Sequence, residues 1–207
     1  MLVIAASPAY GLGARTASAA IPRRPVSASL PSLPVANIAT KAQAPTLAPD
    51  PSGYYQIVAR HSGKCLDVSG ASTADAASII QYDCSEGTNQ QWRFEPVGGG
   101  YYRIVARHSG KAMDVGGASF DDAASVIQYT PHQGANQQWM LESISDSYYR
   151  IVVRHSGKAM DVPAASLDNG VSLIQYTLHQ GANQQWFLRA VNPTPTPTLR
   201  HRLLLHR

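Results

Sequence analysis

One segment is written three times along this chain at a constant step. "YYQIVARHSGKCLDV" begins at Tyr54, "YYRIVARHSGKAMDV" at Tyr101 and "YYRIVVRHSGKAMDV" at Tyr148, each 47 residues after the last. The same step separates "GTNQQWR" at Gly87, "GANQQWM" at Gly134 and "GANQQWF" at Gly181, so the only three tryptophans fall at Trp92, Trp139 and Trp186. A period of this length marks a supersecondary unit that cannot bury its apolar face alone and is completed by its neighbours. Three copies and no fourth point to closure around a threefold axis rather than an open stack.

Within each unit four short segments have strand character: "YYRIVAR", "KAMDV", "SVIQYT" and "QQWML" in the second copy. Gly, Ser, Asp and Asn clusters separate them and read as turns, and helical signals are nearly absent. Three units of four strands predict an all-β chain of twelve short strands that closes a barrel and caps it, a β-trefoil over residues 53–191. A propeller also uses four strands per repeat but generally needs at least four blades. Period-two alternation in "CLDV" puts Leu66 and Val68 on the core face and Asp67 on the solvent face, and Met113, Val115, Met160 and Val162 repeat the pattern. The tryptophans read as core, each giving its indole N–H to a backbone carbonyl. Gln90, Gln137 and Gln184, two residues before them, are expected to bond turn backbone.

The net charge of +4 does not describe the repeats. Between Tyr54 and Val191 there are 10 Lys and Arg against 12 Asp and Glu, and the positive excess lies in the flanks. A basic groove for nucleic acid is therefore not expected, because that mode needs cations clustered on the folded surface. No run approaches the roughly 18 apolar residues of a membrane span. Residues 1–52 are rich in Ala, Pro and Ser and read as a disordered or removed leader. Its opening "MLVIAASPAYGLGA" followed by "TASAA" resembles a secretory signal without its basic start, the alternative being an ordinary apolar leader. Residues 192–207 begin with a Pro-Thr alternation of the kind that joins extracellular modules, so a further module is expected beyond it.

Cys65 and Cys84 are the only cysteines. Their equivalents are Ala112 and Pro131 in the second repeat and Ala159 and Leu178 in the third, so both are lost together. Paired, they close a loop of about 20 residues, worth roughly 3 kcal/mol on the loop-entropy model, and they suit an oxidising compartment. Two buried free thiols are the alternative. Metal binding lacks the Cys-x-x-Cys spacing it would need.

With three Gln-x-Trp motifs and a "SGKCLDV" or "SGKAMDV" strand in each unit, residues 53–191 resemble the ricin B-type lectins and related β-trefoil carbohydrate-binding modules. The resemblance implies one shallow sugar site per repeat: Asp67, Tyr82 and Asn89; Asp114, Tyr129 and Asn136; Asp161, Tyr176 and Asn183. The trio is chemically sensible. A tyrosine ring offers an apolar face to a pyranose, a carboxylate accepts from two adjacent hydroxyls, and an amide both donates and accepts. Asp and Asn also favour turns for local reasons. Departures from the pattern include Pro163-Ala164, where the other repeats have Ser69-Gly70 and Gly116-Gly117; it stiffens that wall and marks the third site as open to alteration or loss. His132 and His179 also stand where the first repeat has Ser85.

The "RHSGK" histidines, His61, His108 and His155, read as surface turns with useful cations, because threefold-related turns are too far apart to share one metal. No metal and no cofactor is expected. The prominent polar residues recur by symmetry, whereas catalysis needs one asymmetric constellation, so no enzymatic activity is expected. The leading expectation is a secreted lectin-like module for galactose- or xylose-containing glycans, a compatible reading being the targeting part of a larger glycosidase. The alternative is a trefoil for protein contact, such as a protease inhibitor, working through unrepeated loop residues such as Phe120 and Leu167.

Overall fold

The computed structural model describes residues 48–145 and 147–191; most of the 1–52 leader and all of the 192–207 tail lie outside the described residues. The first repeat forms β1 (Tyr54–Ala59), β2 (Cys65–Val68), β3 (Ile79–Tyr82) and β4 (Trp92–Gly98). The second forms β5 (Tyr101–Ala106), β6 (Ala112–Val115), β7 (Val126–Tyr129) and β8 (Trp139–Ser143). The third forms β9 (Tyr149–Val153), β10 (Ala159–Asp161), β11 (Val171–Ser172), β12 (Ile174–Tyr176) and β13 (Trp186–Val191). Only strands and short 3-10 turns occur among the described residues.

Strands β1, β4, β5, β8, β9 and β13 pair in that order, and β13 returns to β1, so a barrel closes with no free edge. The hairpins β2–β3, β6–β7 and β10–β12 cap it. They join cyclically through the bridges Ser78 to Ile127, Ser125 to Ile174 and Ser172 to Ile80. Thirteen strands thus replace the expected twelve. In the third repeat the bridge extends by one residue, Val171 opposite Gln81, which makes a separate two-residue strand of what is a single contact elsewhere. The β-trefoil architecture is the one the repeat predicts.

The core is threefold as well. Leu66, Met113 and Met160, then Val68, Val115 and Val162, are fully buried, as are Ile57, Ile104 and Ile151. Trp92, Trp139 and Trp186 are completely buried, and each indole Nε1–H donates to the carbonyl of the preceding cap strand, Leu66, Met113 or Met160. Each such side chain contributes about 2–3 kcal/mol by leaving water, and its one polar atom is satisfied.

Adjacent repeats are tied by a second polar set. His61, His108 and His155 lie in turns, as expected, and are half-buried; what the sequence did not show is that each Nε2 bonds a carbonyl of the preceding repeat in the cycle, Ser166, Ser72 and Ser119. The fully buried Gln81, Gln128 and Gln175 donate to the same carbonyls. Arg60, Arg107 and Arg154 stack on Tyr148, Tyr54 and Tyr101 at 4.5, 4.5 and 4.8 Å. The histidines are engaged this way because the long loop of one repeat folds over the "RHSGK" turn of the next, a contact that no local pattern announces.

One ion pair has changed sides. Lys111 binds Asp75, and Lys158 binds Asp122, across the repeat boundary. At the third boundary Asn169 occupies the equivalent acidic position, and the acid is instead Asp83, which receives both Lys64 Nζ and Asn169 Nδ2.

The Pro163-Ala164 turn was expected to differ, yet it has the same shape as its counterparts. Gly70 and Gly117 lie at φ 60 and 62, and Ala164 takes φ 52 in their place. A left-handed alanine is strained where glycine is not. Ala164→Gly should therefore raise stability by about 0.5–1 kcal/mol, seen as a melting temperature about 2–4 °C higher, whereas Gly117→Ala should lower it. Cys65 and Cys84 form a disulfide, with Cα atoms 5.0 Å apart. Replacing both with Ala should cost about 3 kcal/mol in denaturant unfolding.

Candidate functional site

Hairpin register brings the expected residues together. In β2–β3, Asp67 lies opposite Ile80 and Cys65 opposite Tyr82, so Asp67 and Tyr82 are diagonal neighbours on one face. The same diagonal joins Asp114 to Tyr129 and Asp161 to Tyr176. Diagonal pairs in an antiparallel ladder sit about 7 Å apart, within reach of an aromatic ring. The third member arrives from the turn before each tryptophan. Asn89 Nδ2 donates to Asp67 Oδ2 at 2.9 Å, Asn136 Nδ2 to Asp114 Oδ2 at 3.0 Å, and Asn183 Nδ2 to both oxygens of Asp161 at 3.1 Å. All nine residues thus fall into three like clusters.

The clusters differ from expectation in depth. Alternation placed the aspartates on the solvent face; they are buried instead, at 7%, 3% and 3% exposure. The turn carrying Asn and Gln folds over that face and roofs it. Tyr82, Tyr129 and Tyr176 remain open at 45%, 40% and 40%. Each cluster therefore sets a buried carboxylate, bonded by an amide, beside an exposed ring.

Every residue of Asn-Gln-Gln-Trp has a separate task. The asparagine holds the aspartate and also donates to the next carbonyl, Val68, Val115 or Val162. The first glutamine accepts from the backbone N–H of Ser85, His132 or His179 and donates to the carbonyl of Asp83, Thr130 or Thr177, as expected for a turn brace. Gln90 and Gln137 donate to the site aspartate as well, both at 2.8 Å. The second glutamine accepts from the arginine that stacks on the neighbouring repeat's tyrosine. The tryptophan anchors the turn in the core.

Two residues join the site that the sequence offered only as departures. His132 Nε2 lies 3.3 Å from Asp114 Oδ2, and His179 Nε2 lies 3.0 Å from Asp161 Oδ2. The backbone N–H groups of Gly134 and Gly181 donate to the other ring nitrogen, Nδ1. An accepting Nδ1 puts the ring proton of the neutral imidazole on Nε2, from which it is donated to the carboxylate. Each imidazole also stands edge-on to the site tyrosine, at 6.3 Å in both repeats. The first repeat has no such group, so Asp67 is the least covered of the three. Gly134 and Gly181 are required by close approach, since a Cβ there would fall within 2.7 Å of both the histidine ring and the asparagine Oδ1. The signal in sequence was the fixed His-x-Gly-x-Asn spacing of these two repeats.

Electrostatics separates the aspartates into two groups. Burial, the largest influence, holds Asp67, Asp114 and Asp161 above the ordinary aspartate value of 3.8 despite their amide donors. Asp75, Asp83 and Asp122 lie below it, chiefly because a lysine donates to each. The first group favours folding below pH 3.8 and loses that contribution as pH rises through the raised values. The second supplies stability above 3.8 and loses it as pH falls through the lowered values. Replacing the three site aspartates with Asn should remove the first component: relative to the unmodified protein, the variant should gain stability as pH rises from 3.8 toward neutrality, measured by urea unfolding across pH.

Residues 42–129 and 135–202 match the family model described as ricin-type beta-trefoil lectin domain-like. The chain belongs to that family, whose fold is that of carbohydrate-binding lectin domains. Among solved structures it is similar to the designed threefold-symmetric protein ThreeFoil at 57% identity and TM-score 0.66, covering 67% of this chain and 99% of that one. It is also similar to 1,3Gal43A, an exo-beta-1,3-galactanase from Clostridium thermocellum, at 42% identity and TM-score 0.67, covering 69% of this chain. The match spans 31% of the galactanase. The Macrolepiota procera ricin B-like lectin, solved in complex with lactose, shares the fold at 21% identity and TM-score 0.59, covering 68% of this chain and 96% of that one.

Proposed function

We propose that the chain is a non-catalytic binder of galactose- or xylose-containing glycans, acting through up to three shallow repeat-related sites. The observation that carries this reading is the threefold recurrence of an exposed tyrosine diagonal to a buried, amide-bonded carboxylate on one face of a hairpin. The ring suits the C–H face of a pyranose, and the carboxylate suits a pair of adjacent hydroxyls. Burial strengthens those hydrogen bonds by weakening competition from water. The same three polar residues appear in every repeat, which is the arrangement of a multivalent binder and not of one catalytic centre.

A single open site of this kind holds a sugar at about millimolar affinity, near 4 kcal/mol. Three on one rigid body gain strongly on a polymer or cell surface. The similarity to part of an exo-beta-1,3-galactanase supports a role as the targeting module of a larger glycosidase and favours galactan among the candidate glycans. An extracellular location fits the disulfide. The protein-contact alternative would work through Phe120 and Leu167, which are 67% and 64% exposed.

The deciding experiment compares the full chain with its Asp67→Asn, Asp114→Asn, Asp161→Asn variant on immobilised galactans and xylans, circular dichroism confirming the fold of both. Retention should fall at least about a hundredfold in the variant, since three weak sites are lost together. Unchanged retention would remove the aspartates from the site. Loss on replacing Phe120 and Leu167 instead would favour protein-type contact.

A further inference from the structure

Where threefold symmetry breaks, a cleft opens beside the first site. It is lined by Gln56, Ser85, Glu86 and Arg189, with the disulfide-bonded Cys84 and the apolar Ala190 and Val191 completing its walls. In the other repeats the same ground carries charge pairing. Arg103 and Arg150 stand where the first repeat has Gln56; they donate to the carbonyls of His132 and His179 and pair with Glu95 at 3.7 Å and Glu142 at 3.4 Å.

The first repeat divides these tasks differently. Gln56 Nε2 takes over the anchoring bond, donating to the Ser85 carbonyl at 2.6 Å. Arg189, opposite Gln56 across β1 and β13, occupies the place of the two glutamates. Its Nε donates to Gln56 Oε1 at 2.9 Å and one terminal nitrogen lies 3.4 Å from Cys65 Sγ; no carboxylate among the described residues pairs with it. Glu86, where the other repeats have Gln133 and Gln180, faces the same cleft and forms no ion pair among the described residues. One cleft therefore presents a planar donor, a separate carboxylate acceptor, a hydroxyl and a small apolar wall. Opposite charges that do not meet favour a neutral ligand able to bridge them, and vicinal hydroxyls donate to the carboxylate while accepting from the guanidinium.

The cleft also adjoins the first site. Cys84 is two residues from Tyr82, and Glu86 is three from Asn89, which at 3.8 Å per residue puts its wall within about 8–12 Å of both, the span of one or two pyranose units. The connection is physical as well: the Ser85 N–H donates to Gln90 Oε1, and Gln90 Nε2 donates to Asp67.

Resting on the glycan-binding reading above, we infer that this cleft is a second saccharide subsite, so that the first repeat engages two or more linked sugar units while the others engage one. The test uses the full chain carrying Asp114→Asn and Asp161→Asn, titrated with galactose, β-1,3-galactobiose and β-1,3-galactotriose, and with xylose, xylobiose and xylotriose. One of the two series should bind about tenfold tighter as disaccharide than as monosaccharide. Arg189→Ala, and Arg189→Glu, which installs the residue used at Glu95 and Glu142, should abolish that gain and leave the monosaccharide affinity unchanged. The Arg189 Nε–Hε resonance should shift with disaccharide and not with monosaccharide. Monosaccharide binding with no gain from length, or equal loss for all lengths on replacing Arg189, would overturn the subsite alone. Absence of binding by any sugar would overturn the glycan reading and the subsite with it.

Discussion

The contact on which the rest depends is the hydrogen bond from the Asn-Gln turn to the aspartate of the second strand in each repeat. It joins two segments 22 residues apart, and its geometry is set from below by the tryptophan that closes the same turn. Core and site are therefore one construction: the indole fixes the turn, the turn roofs the strand, and the roof buries a carboxylate that would otherwise lie in water. Burying it costs stability at neutral pH, which the amide donors offset only in part, since the aspartates remain above the ordinary aspartate value. A fold seeking stability alone has no need of a half-compensated acid in three places; the proposed sugar sites do.

The repeat interfaces supply the rigidity. Buried glutamines, carbonyl-bonded histidines and arginine-tyrosine stacks run in one direction around the axis, so each repeat is completed by its neighbour. Substitutions at these contacts come in pairs. Asp75 with Thr130 and Asp122 with Thr177 become Asn169 with Asp83 at the third boundary, moving the acid across the interface without losing the lysine contact. The exchange of Glu95 and Glu142 for Arg189 follows the same logic on one side, with Gln56 replacing an arginine, and there it leaves a cleft.

Much of this was legible from the sequence because periodicity is a global signal. Three copies at a fixed step gave the strand count to within one and the architecture, and the paired loss of Cys65 and Cys84 in the other repeats pointed to the disulfide that the structure contains. Alternation named Leu66, Val68 and their equivalents as core. It misplaced Asp67, Asp114 and Asp161 because period two reports which side of a strand a residue faces, not whether another segment covers that side. The same limit hid the roles of His61, His108 and His155, which bond carbonyls 36 or more residues away, and of Arg189, whose partner Gln56 lies 133 residues earlier. His132 and His179 were visible as departures, but their contact with the aspartates depends on the turn that brings Nε2 inward.

The most direct test of the central claim is a set of side-chain amide NMR spectra of the full chain, recorded while a soluble galactan or xylan oligosaccharide is added. The Nδ2 resonances of Asn89, Asn136 and Asn183 report the three proposed sites separately. A sugar that occupies them should shift all three sets in a saturable manner and leave the amides of the buried Gln81, Gln128 and Gln175 unmoved. Saturable glycan binding that leaves every one of the three asparagines unshifted would contradict the account.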